Sequence, residues 1–300
     1  MKKILISGGT GLIGSSLAKL LKSSGYEVAI LTRRKGASEY SNFLWNIEDN
    51  FIEEEAFKGT QIIIHLAGTN IGKRSWTPEV KQEILQSRTK SAQLIFNYSK
   101  NCGKSLETFI SASAIGYYGA VTSDKIFSED EPPAKDFLGS TCKLWEESAD
   151  KFKELSLRVV KIRTAPVIAK KGGIIDKLLL PIKLGLGSPV GSGRQYMPVI
   201  HIDDICNIYK FAVTNDIEGA FNASAPEQLT NREVLRTIAK KLHRPFIFPS
   251  VPSFAMKIIF GEMAKIILEG SRVSTTKIVS KGFRFSFDKV DKMLENILHT

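Results

Sequence analysis

Hydrophobic residues recur along this chain with two different periods. Short apolar runs over 4–7, 28–32, 62–67, 109–113 and 159–163 have the length of β-strands. After the first run, Ile13, Leu17, Leu20 and Leu21 follow helical spacing over 12–21. The helix should stop at Ser23-Ser24-Gly25, where glycine suits the left-handed position after a helix. Leu138, Cys142, Trp145, Ala149 and Phe152 share that period and predict another helix. Strands alternating with helices through short joints imply βαβ units, hence a parallel sheet covered on both faces.

The alternation loosens after Thr164. Residues 171–194 carry Gly172, Gly173, Pro181, Gly185, Gly187, Pro189, Gly191 and Gly193, which predicts loop around one short helix. A strand near 196–200 and a helix after Asp203-Asp204 are placed to return to the sheet, with one of the two aspartates as cap. Thr230-Asn231-Arg232-Glu233 has capping-box form and opens a helix through Val234, Ile238 and Leu242. Residues 245–252 and two further helical patterns complete a small C-terminal lobe.

Composition narrows the class without naming an activity. The 300 residues are 43% hydrophobic and 24% charged, which excludes a disordered or fibrous chain. Cys102, Cys142 and Cys206 are odd in number and far apart, so they read as free thiols in a reducing compartment. His65, His201, His243 and His299 show no metal-ligand spacing, and no metal is expected. The apolar run after Met1-Lys2-Lys3 breaks too soon for a signal peptide, and no stretch has the roughly 18 apolar residues of a membrane span. A cytoplasmic protein is expected. The net charge of +11 fits an anionic partner or a lysine-rich solvated surface. Because the basic residues are dispersed, the surface reading is preferred, with neither nucleic acid nor membrane as partner.

The most informative local pattern is Gly8-Gly9-Thr10-Gly11-Leu12-Ile13-Gly14, directly after the first strand and opening the first helix. The first glycine permits a tight turn, the second lets backbone approach a pyrophosphate, and the third lets helix and strand pack closely. Free amides and the positive end of the helix then face the phosphates. Thr10, Leu12 and Ile13 share this cofactor-binding assignment. The second strand ends Leu31-Thr32-Arg33-Arg34, where NAD sites usually place an acid for the ribose 2′-hydroxyl. Arg33 and Arg34 favour a 2′-phosphate instead, so the expected cofactor is NADP(H). Arg163, at a strand end facing the ligand crevice, joins the cofactor candidates.

Gly8–Gly14, His65-Leu66-Ala67-Gly68, and Ser111-Ala112-Ser113-Ala114 followed by Tyr117-Tyr118-Gly119 resemble the extended short-chain dehydrogenase/reductase superfamily. The chain is closer still to an atypical branch, the "epimerase family" proteins with a C-terminal domain of unknown function. Trp145-Glu146, Gly191-Ser192-Gly193-Arg194-Gln195, His201-Ile202-Asp203-Asp204, Arg244-Pro245 and Gly261-Glu262-Met263-Ala264 carry that likeness. It implies an α/β fold, a Rossmann-type doubly wound parallel sheet over 1–165 with 196–225 returning to it. A smaller substrate lobe would comprise 166–195 and 226–300. The backbone of Leu66, Ala67 and Gly68 would lie beside the cofactor. The implied activity is NADP(H)-dependent epimerase, dehydratase or reductase chemistry on a hydroxyl or carbonyl of a small, sugar-nucleotide-like substrate. A cofactor-binding sensor without turnover is the alternative, and relatives allow a homodimer.

Typical members use Tyr-x-x-x-Lys, with tyrosine moving the proton and lysine lowering its pKa and holding the ribose. Lys143 falls where that lysine belongs, but Gly139 stands in place of the tyrosine. Ser113 is expected to hydrogen-bond the reacting oxygen, and Tyr117 to replace the missing tyrosine, both touching substrate. Arg194 and Gln195, in a glycine-rich loop, are implied to hold the substrate's phosphates.

Overall fold

The computed structural model describes residues 1–36, 38–101, 105–155 and 157–298, and Cys102 and His299 lie outside the described residues. Its centre is an eight-stranded sheet in the order β11-β8-β6-β5-β1-β2-β3-β4. The five runs read from the sequence are β1 (Lys3–Ser7), β2 (Glu27–Thr32), β5 (Thr60–His65), β6 (Thr108–Ala114) and β8 (Arg158–Thr164). The sheet also takes β3 (Ser41–Asn46), β4 (Phe51–Ile52) and β11 (Gly219–Ala223). Within this sheet, among the described residues, only β4 pairs antiparallel. The other pairs run parallel, so their C-terminal ends share one edge.

Helices α1 (Leu12–Ser23) and α5 (Ile202–Thr214) cover one face, around Leu17, Leu21, Ile205 and Tyr209. Helices α2 (Pro78–Ser99) and α3 (Phe137–Asp150) cover the other, around Leu94, Ile95, Ala149 and Phe152. The end of α1 follows the sequence expectation. Gly25 has φ +87°, its amide donates to Lys22 O, and Tyr26 N donates to Leu21 O, which together close the helix.

The predicted strand over 196–200 does not enter the central sheet. Two residues, β10 (Ile200–His201), pair instead with β9 (Val167–Ile168) in a separate ribbon. The edge beside β8 is taken by β11, in register from Gly219↔Val160 to Ala223↔Thr164. Pro198, which has no N–H, further disqualifies the segment as an inner strand. A third short ribbon pairs β7 (Ile126–Phe127) with β12 (Arg272–Val273).

The expected aspartate cap of α5 is also corrected. His201 is the N-cap, its Nδ1 accepting from Asp203 N at 3.2 Å. Buried Asp204 accepts from Ser286 N and Phe287 N, both at 2.9 Å, and so ties α5 to the C-terminal segment. The C-terminal lobe has its own core, where α4 (Ile175–Lys183), α6 (Asn231–Lys241) and α10 (Val290–Leu298) meet. Helix α6 begins with the predicted box: Glu233 N donates to Thr230 Oγ1, and Thr230 N to the Glu233 carboxylate. Helices α7 (Ser253–Phe260), α8 (Ala264–Leu268) and α9 (Thr276–Ser280) complete the chain. No described helix is long and apolar enough to cross a membrane.

His65, at the end of β5, is fully buried between Ser7 Oγ (2.6 Å) on β1 and Ser91 Oγ (3.1 Å) on α2. Burial pushes the imidazole pKa down to about 4, so the folded protein holds it neutral. The unfolded chain, with a pKa near 6.5, binds the proton first as the pH falls. Stability contributed by this site is therefore complete above about pH 6.5 and is lost towards pH 4, at up to about 1.4 kcal/mol per pH unit. Denaturant melts across that window should fall less steeply for His65→Asn than for wild type; parallel curves would discount the site.

Candidate functional site

The glycine loop sits where the strand order reverses, between β1 and its neighbours β2 and β5. This is the edge at which open α/β sheets form a ligand crevice. Gly8 has φ +74°, and a Cβ there would lie 2.8 Å from the backbone of Leu66 and Ala67. At Gly14 a Cβ would stand 2.2 Å from Gly8 O, so any side chain would push α1 off the loop. Gly11 differs: a Cβ there would meet only Gly8 O, at 3.3 Å, and otherwise face open space. Helix α1 starts there without a side-chain cap or an acid in its first turn. Among the described residues the amides of Leu12 and Ile13 have no acceptor. Backbone donors and the helix's positive end thus open into a space that suits a diphosphate.

Arg33 and Arg34 stand exposed just past β2, and neither makes an ion pair among the described residues. Leu66, Ala67 and Gly68 follow β5 directly, with Leu66 N donating to Ser7 O at 3.0 Å. These three groups line the same sheet edge as the glycine loop.

Next along that edge lies a buried polar network. Ser113, on β6, donates to Glu146 Oε1 on α3 at 2.7 Å. Arg163, the register partner of Ser113 on β8, grips the same carboxylate through Nε (2.8 Å) and Nη2 (2.9 Å). Its Nη1 donates to Tyr118 Oη (2.8 Å) and Glu129 O (3.1 Å), and Tyr118 donates to Asn222 Oδ1 (2.8 Å) on β11. The pairing with Glu146 raises the Arg163 pKa despite burial, while burial pushes the Tyr118 phenol up to about 12. Tyr117 lies flat on the cation, its ring centroid 3.5 Å from the guanidinium carbon. It stays half-buried, and desolvation raises its pKa, so the phenol is protonated near neutral pH.

Helix α3 presents a different face from the one expected. Lys143 has a side chain 56% exposed and pairs with Glu147 at 3.6 Å. It points away from the network. A side chain at Gly116, in the turn after β6, would instead touch Leu138 Cβ at 3.4 Å and Cys142 Sγ at 3.8 Å. Leu138 and Cys142, four residues apart, therefore face the site, and burial pushes the Cys142 thiol up to about 12. Gly139, which stands where typical members carry tyrosine, is buried against the loop before α3. A Cβ there would lie 2.3 Å from Ala134 O, so the close approach of helix to loop requires glycine.

Two other candidates have their side chains engaged inside the protein. Gln195 is buried, and its Nε2 donates to Val190 O (2.9 Å) and Ile267 O (3.0 Å), bracing the loop from within. Arg163 directs its donors into the network and does not open on the crevice. Arg194 remains exposed, with no ion pair among the described residues. The sequence reading missed Arg88 of α2, which is 9% exposed and lies under the Leu66–Gly68 loop. It donates to Ile84 O (2.8 Å) and Thr69 O (3.1 Å) and stacks 4.8 Å from the Trp145 ring. No carboxylate pairs with it among the described residues. An arginine among polar neighbours in a helix looks solvated in sequence, and only burial without a counter-ion reveals it.

Removing Glu146 would leave Arg163 buried and uncompensated. Glu146→Ala should destabilise the fold by about 3–5 kcal/mol in denaturant unfolding, with Glu146→Gln costing less. A loss within about 0.5 kcal/mol would mean that the pair contributes little.

Comparison with known proteins agrees with this geometry. Residues 4–224 match the NAD dependent epimerase/dehydratase family, and residues 251–297 match a domain of unknown function, DUF1731. Epimerase family protein SAR0825 of Staphylococcus aureus (strain MRSA252) is 33% identical over 303 residues, covering 99% of both chains. Epimerase family protein SDR39U1 of Mus musculus is 32% identical over 301 residues with the same coverage. The crystal structure of human epimerase family protein SDR39U1 (isoform 2) with NADPH superposes at a TM-score of 0.88, with 30% identity and 99% of each chain covered. A UDP-glucose 4-epimerase from Thermus thermophilus in complex with NAD, 20% identical at a TM-score of 0.76, shares the fold. With a family match over most of its length and relatives aligned end to end, the chain belongs to the NAD dependent epimerase/dehydratase family.

Proposed function

We propose that the protein binds NADP(H) and uses it on a carbonyl or hydroxyl of a small substrate. The observation that carries this reading is the open glycine cradle at Gly11, facing free helix amides and flanked by two unpaired arginines. The human relative crystallised with NADPH supports it. The residues present fit the cofactor: Gly8, Thr10, Gly11, Leu12, Ile13 and Gly14 would hold the diphosphate and Arg33 and Arg34 the 2′-phosphate, with the backbone of Leu66–Gly68 lying beside the cofactor. When bound, NADP(H) supplies two-electron redox chemistry at its nicotinamide.

The chain's own groups favour carbonyl reduction. Tyr117, kept protonated by desolvation, donates a proton to the substrate oxygen. Ser113 commits its own proton to Glu146 and so presents lone pairs, which accept from the hydroxyl on the alcohol side of the reaction. Arg88 supplies the buried positive charge that Lys143 does not. Arg194 is left to meet a substrate anion, which is where a sugar-nucleotide-like substrate fits. A second reading, a cofactor-binding sensor without turnover, is favoured by one observation: α3 turns Leu138 and Cys142 towards the site, and neither side chain moves a proton there.

Fluorescence titration should show NADPH binding at least about tenfold tighter than NADH, with the difference shrinking in Arg33→Ala. Equal affinities would remove the 2′-phosphate assignment. Arg88 adds a test that needs no substrate. Because Arg88 lies buried under the Leu66–Gly68 loop, its charge would disfavour a positively charged NADP⁺ ring held beside that loop, so wild type should prefer NADPH. Arg88→Met should narrow the NADPH/NADP⁺ affinity ratio, whereas a packing defect alone would weaken both equally. In an NADPH-consumption screen of carbonyl compounds, turnover lost in Tyr117→Phe and Ser113→Ala would establish the enzyme; tight binding without turnover on any would favour the sensor.

A further inference from the structure

Two segments of the C-terminal lobe carry large apolar side chains into solvent. Leu180, Leu184 and Leu186, at and beyond the end of α4, are 57–67% exposed. Ile247 is 82% exposed, and Phe254 and Ile258, one turn apart on α7, are 67% and 79% exposed. Helix α7 buries only Met256. The segments run side by side. Gly191 N donates to Val251 O, Val251 N donates to Pro189 O, and Gly187 packs on Pro245 and Phe246. Exposed apolar residues elsewhere, such as Phe51, Val121 and Val279, are scattered singly. A cluster of this kind marks an interaction surface.

The charge of these segments is one-sided. No aspartate or glutamate occurs over 177–202 or 234–261. Lys183, Arg244 and Lys257 stand exposed in them, with no ion pair among the described residues. A second copy of this chain would set these cations against their own images, which opposes a symmetric dimer. Composition also argues against a protein partner. Protein interfaces favour aromatic residues, methionine and arginine and are depleted in lysine, whereas this face is mainly leucine and isoleucine bordered by two lysines and one arginine. Leucine, isoleucine and phenylalanine rimmed by lysine is the composition of a surface that lies in the lipid headgroup region.

We propose that this face docks the protein peripherally on an anionic lipid surface. Leu184, Ile247 and Ile258 enter the headgroup–acyl boundary, while Lys183, Arg244 and Lys257 meet the lipid phosphates. The lysine stems lie along the apolar boundary with their ammonium groups in the wet layer. The expectation of no membrane partner rested on the dispersal of the basic residues and the lack of a spanning segment; a peripheral surface needs no spanning segment, and here three exposed cations border one apolar face.

Cosedimentation tests this directly, using phosphatidylcholine vesicles with roughly one quarter phosphatidylglycerol and, separately, phosphatidylcholine alone. Wild type should bind the anionic vesicles, bind the neutral ones far more weakly, and be released by salt. Ile247→Glu/Ile258→Glu and Lys183→Glu/Lys257→Glu should each lower the partition about tenfold or more, with unchanged circular-dichroism melts. No binding to anionic vesicles, or full binding by either variant, would overturn the proposal. A dimer in sedimentation velocity that Ile247→Glu/Ile258→Glu dissolves would also overturn it, assigning the face to a second copy.

Discussion

The buried pair of Arg163 and Glu146 holds the polar end of the sheet edge together. The carboxylate comes from α3 and the guanidinium from β8, and each oxygen of Glu146 accepts one donor from Arg163. A charge this deep is tolerable only when its remaining donors and acceptors are met. The structure meets them with Ser113, Tyr118 and Glu129 O, and so recruits β6 and the turns that follow it. Tyr118 passes the chain to Asn222 on β11, whose side-chain amide donates to Phe127 O and Ser274 O. One ion pair thus fixes four elements and the C-terminal segment relative to the sheet edge.

That arrangement separates two tasks that neighbouring residues perform. Tyr118 is committed to structure, inside the network. Tyr117, one residue earlier, lies on the outer face of the same cation and remains half-buried. The 3₁₀ turn Ile115–Tyr118 sends the two rings in different directions, nearly perpendicular at 80°. A site of this kind keeps a protonated phenol at its surface and a rigid charged support behind it.

The cofactor end depends on a different constraint, close backbone approach. Gly8 and Gly14 admit no side chain because the loop after β5, the loop after β1 and the first turn of α1 share one small volume. His65, held between Ser7 and Ser91, anchors the strand that delivers the Leu66–Gly68 loop to that volume. The apolar face of the C-terminal lobe obeys neither constraint, which is why its side chains are free to meet something outside the chain.

Much of this was legible in the sequence. Local signals identified the inner strands, because runs buried on both faces are almost purely apolar, and they identified the glycine loop, the capping box and the end of α1. The weaker edge strands escaped: β3 buries only Trp45, and β11 reads Gly-Ala-Phe-Asn-Ala, without an apolar run. Helix α2 was hidden by the buried Arg88 and Ser91, polar residues on its inner face. Which face of α3 looks at the site was a matter of one residue in register, and one residue is a rotation of roughly 100°. Lys143, placed by motif position, lies on the exposed face, while Leu138 and Cys142 of the apolar stripe pack towards Gly116. Local sequence set what each segment would become, because periodicity and turn chemistry act over a few residues. Only the tertiary structure decided which polar groups meet, since partners such as Ser113, Glu146 and Arg163 lie on three separate elements and find one another through the sheet.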